Sequence, residues 1–439
     1  MLQKLTIESF KSYENAELEL SPLTVLIGSN ASGKSNALEA LRLLSWIAEG
    51  NKLNAVKYAI QEGAAVVRGR VRDLPNGGKE SFSIGCRATL TTSIGSPNSY
   101  DHFSIKLKAS EDDELYILDE RITGKNSAVP LYEVVGKEKD SGHDLLVAYN
   151  NFARGGIKPK VACTDQQAVF IQLESSARYS INHKTSQKVI PAVSERLQRW
   201  LGGITFLDPS PPAMREYSFK TESSLRQDGS NISGVLFNIC STSDGMKSVL
   251  SFIKSLPEQD IREISFLETP RGEVMIKLEE AFGRDRSWFD ASLLSDGTLR
   301  VLSIAAALLS ADEGALVVIE EIDNGVHPSR ARMLLERISD VADSRKLKVL
   351  ISTHNPALLD ALPQKAIGDV VFCYRDPDSG SSRLVKLDQI EYFPEIVSHG
   401  HLGDLMTRGM IEKYVKELPH GSPRRQRNLE WIKSLRDAS

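Results

Sequence analysis

The sequence predicts an α/β protein with a mixed central sheet, an antiparallel β lobe and a helical insertion, without a long coiled coil. Three observations predict it. The aliphatic and β-branched run Leu23-Thr24-Val25-Leu26-Ile27 leads into a glycine-containing loop and then into residues at helical spacing, the strand–loop–helix order of a parallel sheet. Between about 64 and 185, short runs alternate apolar and polar residues and are split by turn residues, which reads as antiparallel strands. Sustained heptads are absent, which argues against a coiled-coil arm.

In chain order, residues 2–8 carry Leu2, Leu5 and Ile7 as a strand, and 16–20 carry Ala16, Leu18 and Leu20 as its partner. Pro22 precedes the apolar strand 23–27. From Asn36 to Glu49, Leu38, Leu41, Leu44 and Ile47 form a helical stripe that Gly50 ends. The clearest alternating runs are Phe82-Ser83-Ile84, Phe103 to Leu107 and Leu115 to Leu118. Residues 136–145 read as an exposed loop, 191–201 as a helix opened by Pro191, and 231–256 and 329–343 as helices.

Composition narrows the function classes. The 439 residues are 41% hydrophobic and 26% charged, an ordinary globular balance. A net charge of −4 predicts no global attraction to nucleic acid, so DNA contact would need a local basic patch. Arg424, Arg425, Arg427, Lys433 and Arg436 offer one, although a solvated helix face is the plainer reading. The four cysteines lack C-x-x-C pairing, which points to neither a zinc site nor a disulfide framework and fits a reducing cytoplasm. The longest apolar stretch, around Val301 to Leu309, is too short to span a bilayer, so no membrane is expected as a partner. His399 and His401 lack nearby ligand partners and read as surface residues.

The chemistry starts at Gly28-Ser29-Asn30-Ala31-Ser32-Gly33-Lys34-Ser35. It matches G-x-x-x-x-G-K-S and stands after a strand and before a helix, where such a loop can wrap phosphate with backbone N–H groups. The helix start adds its positive dipole end, and Asn36 follows directly. Lys34 would bridge the terminal phosphates of ATP, and Ser35 would hold Mg²⁺. A second strand, Ala315 to Ile319, ends in Glu320-Glu321. Glu320 is the candidate metal carboxylate and Glu321 the candidate base that polarises the attacking water.

Three further segments define the type. Leu294-Ser295-Asp296-Gly297-Thr298 resembles the ABC signature L-S-G-G-Q, with Asp296 and Thr298 as departures. Asp323-Asn324-Gly325-Val326-His327-Pro328 resembles a D-loop. Val349 to His354 is a strand ending in histidine and resembles a switch loop. The order of these motifs is that of an ABC ATPase. Ser9-Phe10-Lys11-Ser12-Tyr13, the strand before Gly28, and Asp228-Gly229-Ser230-Asn231 resemble the RecF/SMC-like branch, related to the overcoming-lysogenization-defect proteins but without a TOPRIM domain. About 260 residues separate Lys34 from Ser295, far more than in a transporter cassette, and about 85 follow His354, too few for a TOPRIM domain.

The resemblance implies segments: 1–63 and 291–390 as the two parts of the head, 64–210 as the β-rich lobe and insertion, 211–290 as a helical signature-side region, and 391–439 as a helical tail. It implies a homodimer or higher oligomer in which Ser295 and Gly297 of one subunit face the loop of the other, with Asp323 near the nucleotide. It implies Glu321 and His354 as the hydrolytic pair. One part is missing. Tyr179 to Asn182 resembles the hairpin before a Q-loop, yet Gly203-Ile204-Thr205-Phe206-Leu207-Asp208-Pro209 carries no glutamine, and Gln166, Gln167 and Gln172 lie early. Asp208 or a water is then the alternative. The reading that follows is a regulatory ATPase serving a separate effector, a nuclease, in antiphage defence of the Septu or PARIS kind. The alternatives are a RecF-like repair or chromosome-maintenance ATPase and an ATP-gated assembly scaffold with little turnover.

Overall fold

The computed structural model describes residues 1–61, 66–90, 99–125, 127–137, 144–254, 260–282, 285–323, 328–390 and 401–417. Within them the chain forms two compact units. The first comprises Met1–Leu20, Ala31–Ile204 and Tyr374–Leu384; the second comprises Ser21–Asn30, Thr205–Cys373 and the described part of Val385–Ser439. The chain passes from one to the other inside the glycine-containing loop, between Asn30 and Ala31.

Strands β1 (Leu2–Phe10), β2 (Tyr13–Glu19), β4 (Ser81–Ala88), β5 (His102–Ala109), β6 (Leu115–Gly124), β7 (Ser127–Lys137), β8 (Asp144–Tyr149) and β9 (Lys160–Thr164) build the first unit, while β3 (Leu23–Ile27) belongs to the second. They form one sheet in the order β2-β1-β4-β5-β6-β7-β8-β9, with antiparallel neighbours throughout. In β1, Leu2, Leu5, Ile7 and Phe10 are buried at uneven spacing. The register against β4 shifts between Leu2 and Lys4, and Ser9 takes a left-handed φ of 54°, so each irregularity returns the next apolar residue to the core. Helix Lys34–Ala48 buries Leu38, Leu41, Leu44 and Ile47, the stripe read from the sequence.

A second helix of this unit, Lys184–Gly202, corrects the expectation of a start at Pro191, which lies inside it. Its buried stripe Ser186, Ile190, Val193, Leu197 and Leu201 begins before the proline and carries the helix past the lost N–H. The hairpin expected at Tyr179 to Asn182 does not form. A single 3₁₀ turn, Ser176–Arg178, precedes it, and the Tyr179 hydroxyl donates to the Leu173 carbonyl at 2.7 Å.

In the second unit, β3 joins β10 (Thr205–Leu207), β15 (Leu316–Ile319), β16 (Lys348–Thr353), β17 (Val370–Arg375) and β18 (Ser382–Lys386) in the order β10-β15-β16-β3-β17-β18, the last two strands running on into the first unit's residues. The pairs β10–β15, β15–β16, β16–β3 and β3–β17 are parallel. Every residue of β3 and β15 is buried, which is why both read as nearly continuous apolar runs, with Thr24 the one polar residue. The helix expected over 231–256 is two, Ile232–Cys240 and Ser243–Lys254, because the Thr242 hydroxyl accepts the Gly245 N–H at 3.1 Å and starts a new helix.

The expectation of a helical 211–290 is corrected. β11 (Ser218–Phe219), β12 (Asp260–Glu268), β13 (Glu273–Phe282) and β14 (Asp285–Asp290) form an antiparallel sheet with β13 between its neighbours. In β13, Val274, Met275, Ile276 and Leu278 are all buried, and Met275 interrupts the alternation. In β12 a register shift between Ile261 and Glu263 breaks the period, and exposed Glu263 and Glu268 hide the rest. The longest described helix has 19 residues, so the described residues hold no coiled-coil arm. None of the described helices is long and apolar enough to cross a membrane.

Candidate nucleotide site

The loop after β3 is braced from outside. The Arg375 Nε donates to the Ala31 carbonyl at 3.0 Å, the Ser382 hydroxyl to the Ser32 carbonyl at 2.6 Å, and the buried Tyr13 hydroxyl to the Gly33 carbonyl at 3.1 Å. In a planar trans peptide the carbonyl of one residue and the N–H of the next point in opposite directions. Pinning these three carbonyls therefore turns the N–H groups of Ser32, Gly33 and Lys34 to the other face, as an anion cradle requires. Gly33 is obligatory: its φ is 120°, and a Cβ there would lie 2.2 Å from the Ser382 hydroxyl. Ser12 ties the braces together, since its carbonyl accepts the Ser382 N–H at 2.7 Å and its hydroxyl accepts the Asn36 amide at 2.7 Å. Lys34 is half-buried and Ser35 exposed at the helix start.

One turn further along this helix, the buried Glu39 carboxylate meets the Lys11 ammonium and the Arg68 guanidinium, the latter at 2.5 Å, and accepts the Arg68 N–H at 3.2 Å. Burial lowers the Lys11 pKa, and the Glu39 hydrogen bond opposes that shift. The first unit also carries a cleft of about 570 Å³ lined by Lys11, Ser12, Asn36, Asn76, Arg375 and Gly380.

In the second unit, three parallel strand tips share one sheet edge. Ile27 registers against Thr353, so Gly28 and His354 follow adjacent tips; Ile319 registers against Ile351 on the same sheet, so Glu320 follows the next one. Ligand groups collect at such carboxyl ends in open parallel sheets. The Glu320 N–H is held by the Leu207 carbonyl at 2.8 Å. Glu321 is exposed with a left-handed φ of 46°, and its N–H reaches the Ser352 hydroxyl at 3.2 Å. Such a conformation costs on the order of 1 kcal/mol for a non-glycine residue and is kept where it aims a side chain. Asp323 has a different setting. Its nearly buried carboxylate accepts from the Thr353 hydroxyl at 2.6 Å and lies 3.5 Å from Nδ1 of the half-exposed His354 imidazole.

The signature segment starts the helix Asp296–Ser310. Ser295 is its N-cap: the hydroxyl accepts the Thr298 N–H at 3.1 Å and lies 2.8 Å from the Thr298 hydroxyl. The Arg215 guanidinium donates to the Leu294 carbonyl at 3.0 Å and to the Asp296 carboxylate at 2.7 Å.

The structure thus gathers Gly28, Glu320, Glu321, Asp323 and His354 at one edge, with exposed Ser29 and Asn30 following Gly28. Ser295 and Gly297 stand apart at their own helix start. Asn324 to His327, His399 and the basic stretch 424–436 lie outside the described residues. The glutamines Gln166, Gln167 and Gln172 hold the carbonyls of Leu115, Gly50 and Thr164 with their amides, a structural use in the first unit. Asp208 follows the tip of β10, which is paired to the Glu320 strand. The sequence reading missed Tyr13, Thr353, Arg375, Ser382 and Arg215 as supports. Ser12, Tyr13 and Thr353 lie in motif segments that give them no role, and nothing local marks Arg375, Ser382 or Arg215. The donors offered for a hard cation, the Ser35 hydroxyl and the Glu320 carboxylate, are oxygens of the right kind.

Comparison with known proteins places the chain among ATPase domains. Residues 1–63 match the family model "AAA ATPase domain", and 191–360 match "AAA domain, putative AbiEii toxin, Type IV TA system". An ATP/GTP phosphatase of Helicobacter pylori is 21% identical over 373 residues, covering 83% of this chain and 88% of that protein. The DNA replication and repair protein RecF of Gloeobacter violaceus is 51% identical over 45 residues, only 10% of this chain and 12% of that protein. The crystal structure of an Smc head bound to the C-terminal winged-helix domain of ScpA matches with a TM-score of 0.50 at 13% identity, over 88% of this chain and 96% of that one.

Fold and motifs together define an ABC-type ATPase head, a nucleotide-hydrolysing module. Within that class the fold is similar to that of an Smc head, and the described residues hold no long coiled coil.

Proposed function

We propose that this ATPase works as a head-to-head pair with ATP between the heads, and that the pair regulates a separate effector, a nuclease, in cytoplasmic antiphage defence. The observation that carries the pairing is the signature. Ser295 is exposed at the start of a 15-residue helix and its hydroxyl caps that helix's own first turn, which supports reading it as a docking place for an anion held by another molecule. In this reading the braced loop from Gly28 to Ser35 holds the phosphates, Lys34 bridges the terminal two, and Ser295 and Gly297 of a second copy touch the γ-phosphate. Ser35 and Glu320 would hold Mg²⁺, which when bound offsets the charge on the β- and γ-phosphates. Glu321 polarises the attacking water, and His354, oriented by Asp323, contacts the γ-phosphate. Hydrolysis removes the contact that links the heads, so ATP turnover resets the assembly.

The match of 191–360 to the AbiEii toxin model supports a defence role. The RecF matches support a second reading, a DNA-repair ATPase, but they span a tenth of the chain in the protein cited above. The test is to follow mass in solution with and without ATP, and to measure turnover with and without DNA. ATP-dependent self-association with turnover indifferent to DNA supports the first reading, and capture of a nuclease from the native host completes it. DNA-stimulated turnover with steep salt dependence favours the second. A chain that binds ATP and stays monomeric rejects the pairing.

A further inference from the structure

The signature of this chain contains a charge that should harm it. Asp296 replaces the first glycine of the usual L-S-G-G-Q and sits at the first position of the helix whose N-terminus is to meet a γ-phosphate. A carboxylate there favours the helix dipole but repels an incoming phosphate. The structure shows what answers it. Arg215, eighty-one positions earlier in the chain, places its guanidinium 2.7 Å from the Asp296 carboxylate and 3.0 Å from the Leu294 carbonyl, so it flanks Ser295 on both sides in sequence.

Arg215 is held in place rather than left on a mobile surface. It ends the short helix Pro211–Met214, which two prolines start and the Ser210 carbonyl closes by accepting the Ala213 and Met214 N–H groups at 3.0 and 3.2 Å. Met214 is fully buried. The segment before it is fixed by the Asp208 N–H on the Gln227 carbonyl at 2.8 Å and the Ser210 N–H on the Asp228 carbonyl at 2.9 Å. It begins at β10, whose Leu207 carbonyl holds the Glu320 N–H at 2.8 Å. A short rigid strap therefore runs, within one unit, from the metal-carboxylate strand to the signature. Arg215 is only about a quarter exposed and Asp296 is mostly exposed, so the pair is weak as a stabiliser of the lone chain, and its position calls for another role.

We propose that Arg215 is a positioning residue of the signature: it neutralises Asp296 and so admits the γ-phosphate of a nucleotide held by a second copy. The inference rests on the paired-head reading above. When the heads close, the carboxylate and phosphate come into a site with less water, and an unanswered like charge there costs far more than on the open surface. Asp296 and Arg215 then act as one unit, equivalent in net charge to the glycine of the usual signature, with the guanidinium able to share its donors between carboxylate and phosphate.

The test is a double-mutant cycle in the full-length chain carrying E321Q, which slows hydrolysis and allows ATP-driven association to be read by sedimentation. R215A is expected to weaken that association at least about tenfold while a fluorescent ATP analogue still binds the unassociated chain. D296G removes the charge that Arg215 answers. D296G/R215A is therefore expected to recover association to within about threefold of D296G alone, the non-additivity expected of groups in contact. R215K, which keeps the charge but not the fork, should fall between R215A and the parent. If R215A associates like the parent, or if D296G fails to rescue it, Arg215 acts through the Leu294 carbonyl or not at all and the proposal is overturned. If the E321Q parent binds ATP and does not associate, the paired-head reading itself has failed and the proposal falls with it.

Discussion

The phosphate loop and the signature each open a 15-residue helix with backbone groups suited to an anion, yet they are built in opposite ways. The loop's carbonyls are pinned by Tyr13, Arg375 and Ser382, the last two more than three hundred residues away in sequence, and Gly33 is buried where no other residue fits. Ser295 is exposed, capped by its own first turn, and steadied from afar by Arg215 on the residues either side. A cradle fixed by three distant side chains has its N–H groups aimed before nucleotide arrives, so little ordering cost falls on binding. The exposed helix start is satisfied by its own local cap and leaves its outer face open to solvent. In the proposed paired-head reading, this contrast separates a half that binds alone from a half that acts on assembly, and it can be attacked at either end.

The hardest blow should come from the carboxylates. Glu321→Gln keeps the backbone bond to Ser352 and the size of the side chain but removes the proposed base. Turnover, followed by phosphate release, is expected to fall about 10²- to 10⁴-fold, with ATP still bound and the associated form accumulating. Normal turnover would show that another group activates the water. Lys34→Ala should strike the binding half instead. Loss of a charge-assisted contact to phosphate is expected to weaken ATP affinity about 100-fold, measured by calorimetric titration. Retained tight binding would mean that the braced N–H groups suffice without the ammonium.

The same contrast explains what the sequence revealed. The strand Leu23 to Ile27, the loop and the stripe of the following helix are local patterns, and each stands in the structure where its period placed it. Glu320, Glu321 and His354 were legible because each follows an apolar strand, and parallel strands bring their tips to one edge. The braces were not legible. Ser382 and Arg375 meet the loop through pairing across most of the chain, and no local property of either residue marks it. Arg215 was hidden likewise, although Asp296 was noted as a departure. A misplaced charge in a motif is a signal to look for its counter-ion, and only the fold could supply the partner. The strands β12 and β13 carry no clean alternation, because a register shift breaks it in β12 and buried Met275 interrupts it in β13.

A smaller effect tests how rigid the braced unit is. Glu120 lies fully buried in β6, accepting from the Tyr132 hydroxyl at 2.6 Å and from the Val169 and Phe170 N–H groups at 2.8 Å each. Burial outweighs these bonds and pushes its carboxyl up to about 7 from 4.5. The folded state therefore holds this proton more tightly than the unfolded one. Its contribution is fully present below about pH 4.5 and is lost as pH rises toward 7, by at most about 3 kcal/mol. Subtracting the melting profile of Glu120→Gln from that of the parent, pH 5 to 8, should reveal a falling difference. A flat difference would show that the three donors keep the carboxylate ionised throughout.

The mildest change should separate the two halves most sharply. Ser295→Ala removes an exposed N-cap, which is worth about 1 kcal/mol to its helix, so thermal melting should move by only a few degrees. If the signature acts on assembly, ATP-driven association in a Glu321→Gln background should weaken by much more than that loss predicts, because the hydroxyl that would meet the γ-phosphate is gone as well as the cap. Ser295→Asn supplies the control, since asparagine caps as well as serine but puts an amide where the hydroxyl stood. Recovery of melting without recovery of association would assign the hydroxyl to the nucleotide. Recovery of both would reduce Ser295 to a cap, and the open half of the site would have to be sought elsewhere on this surface.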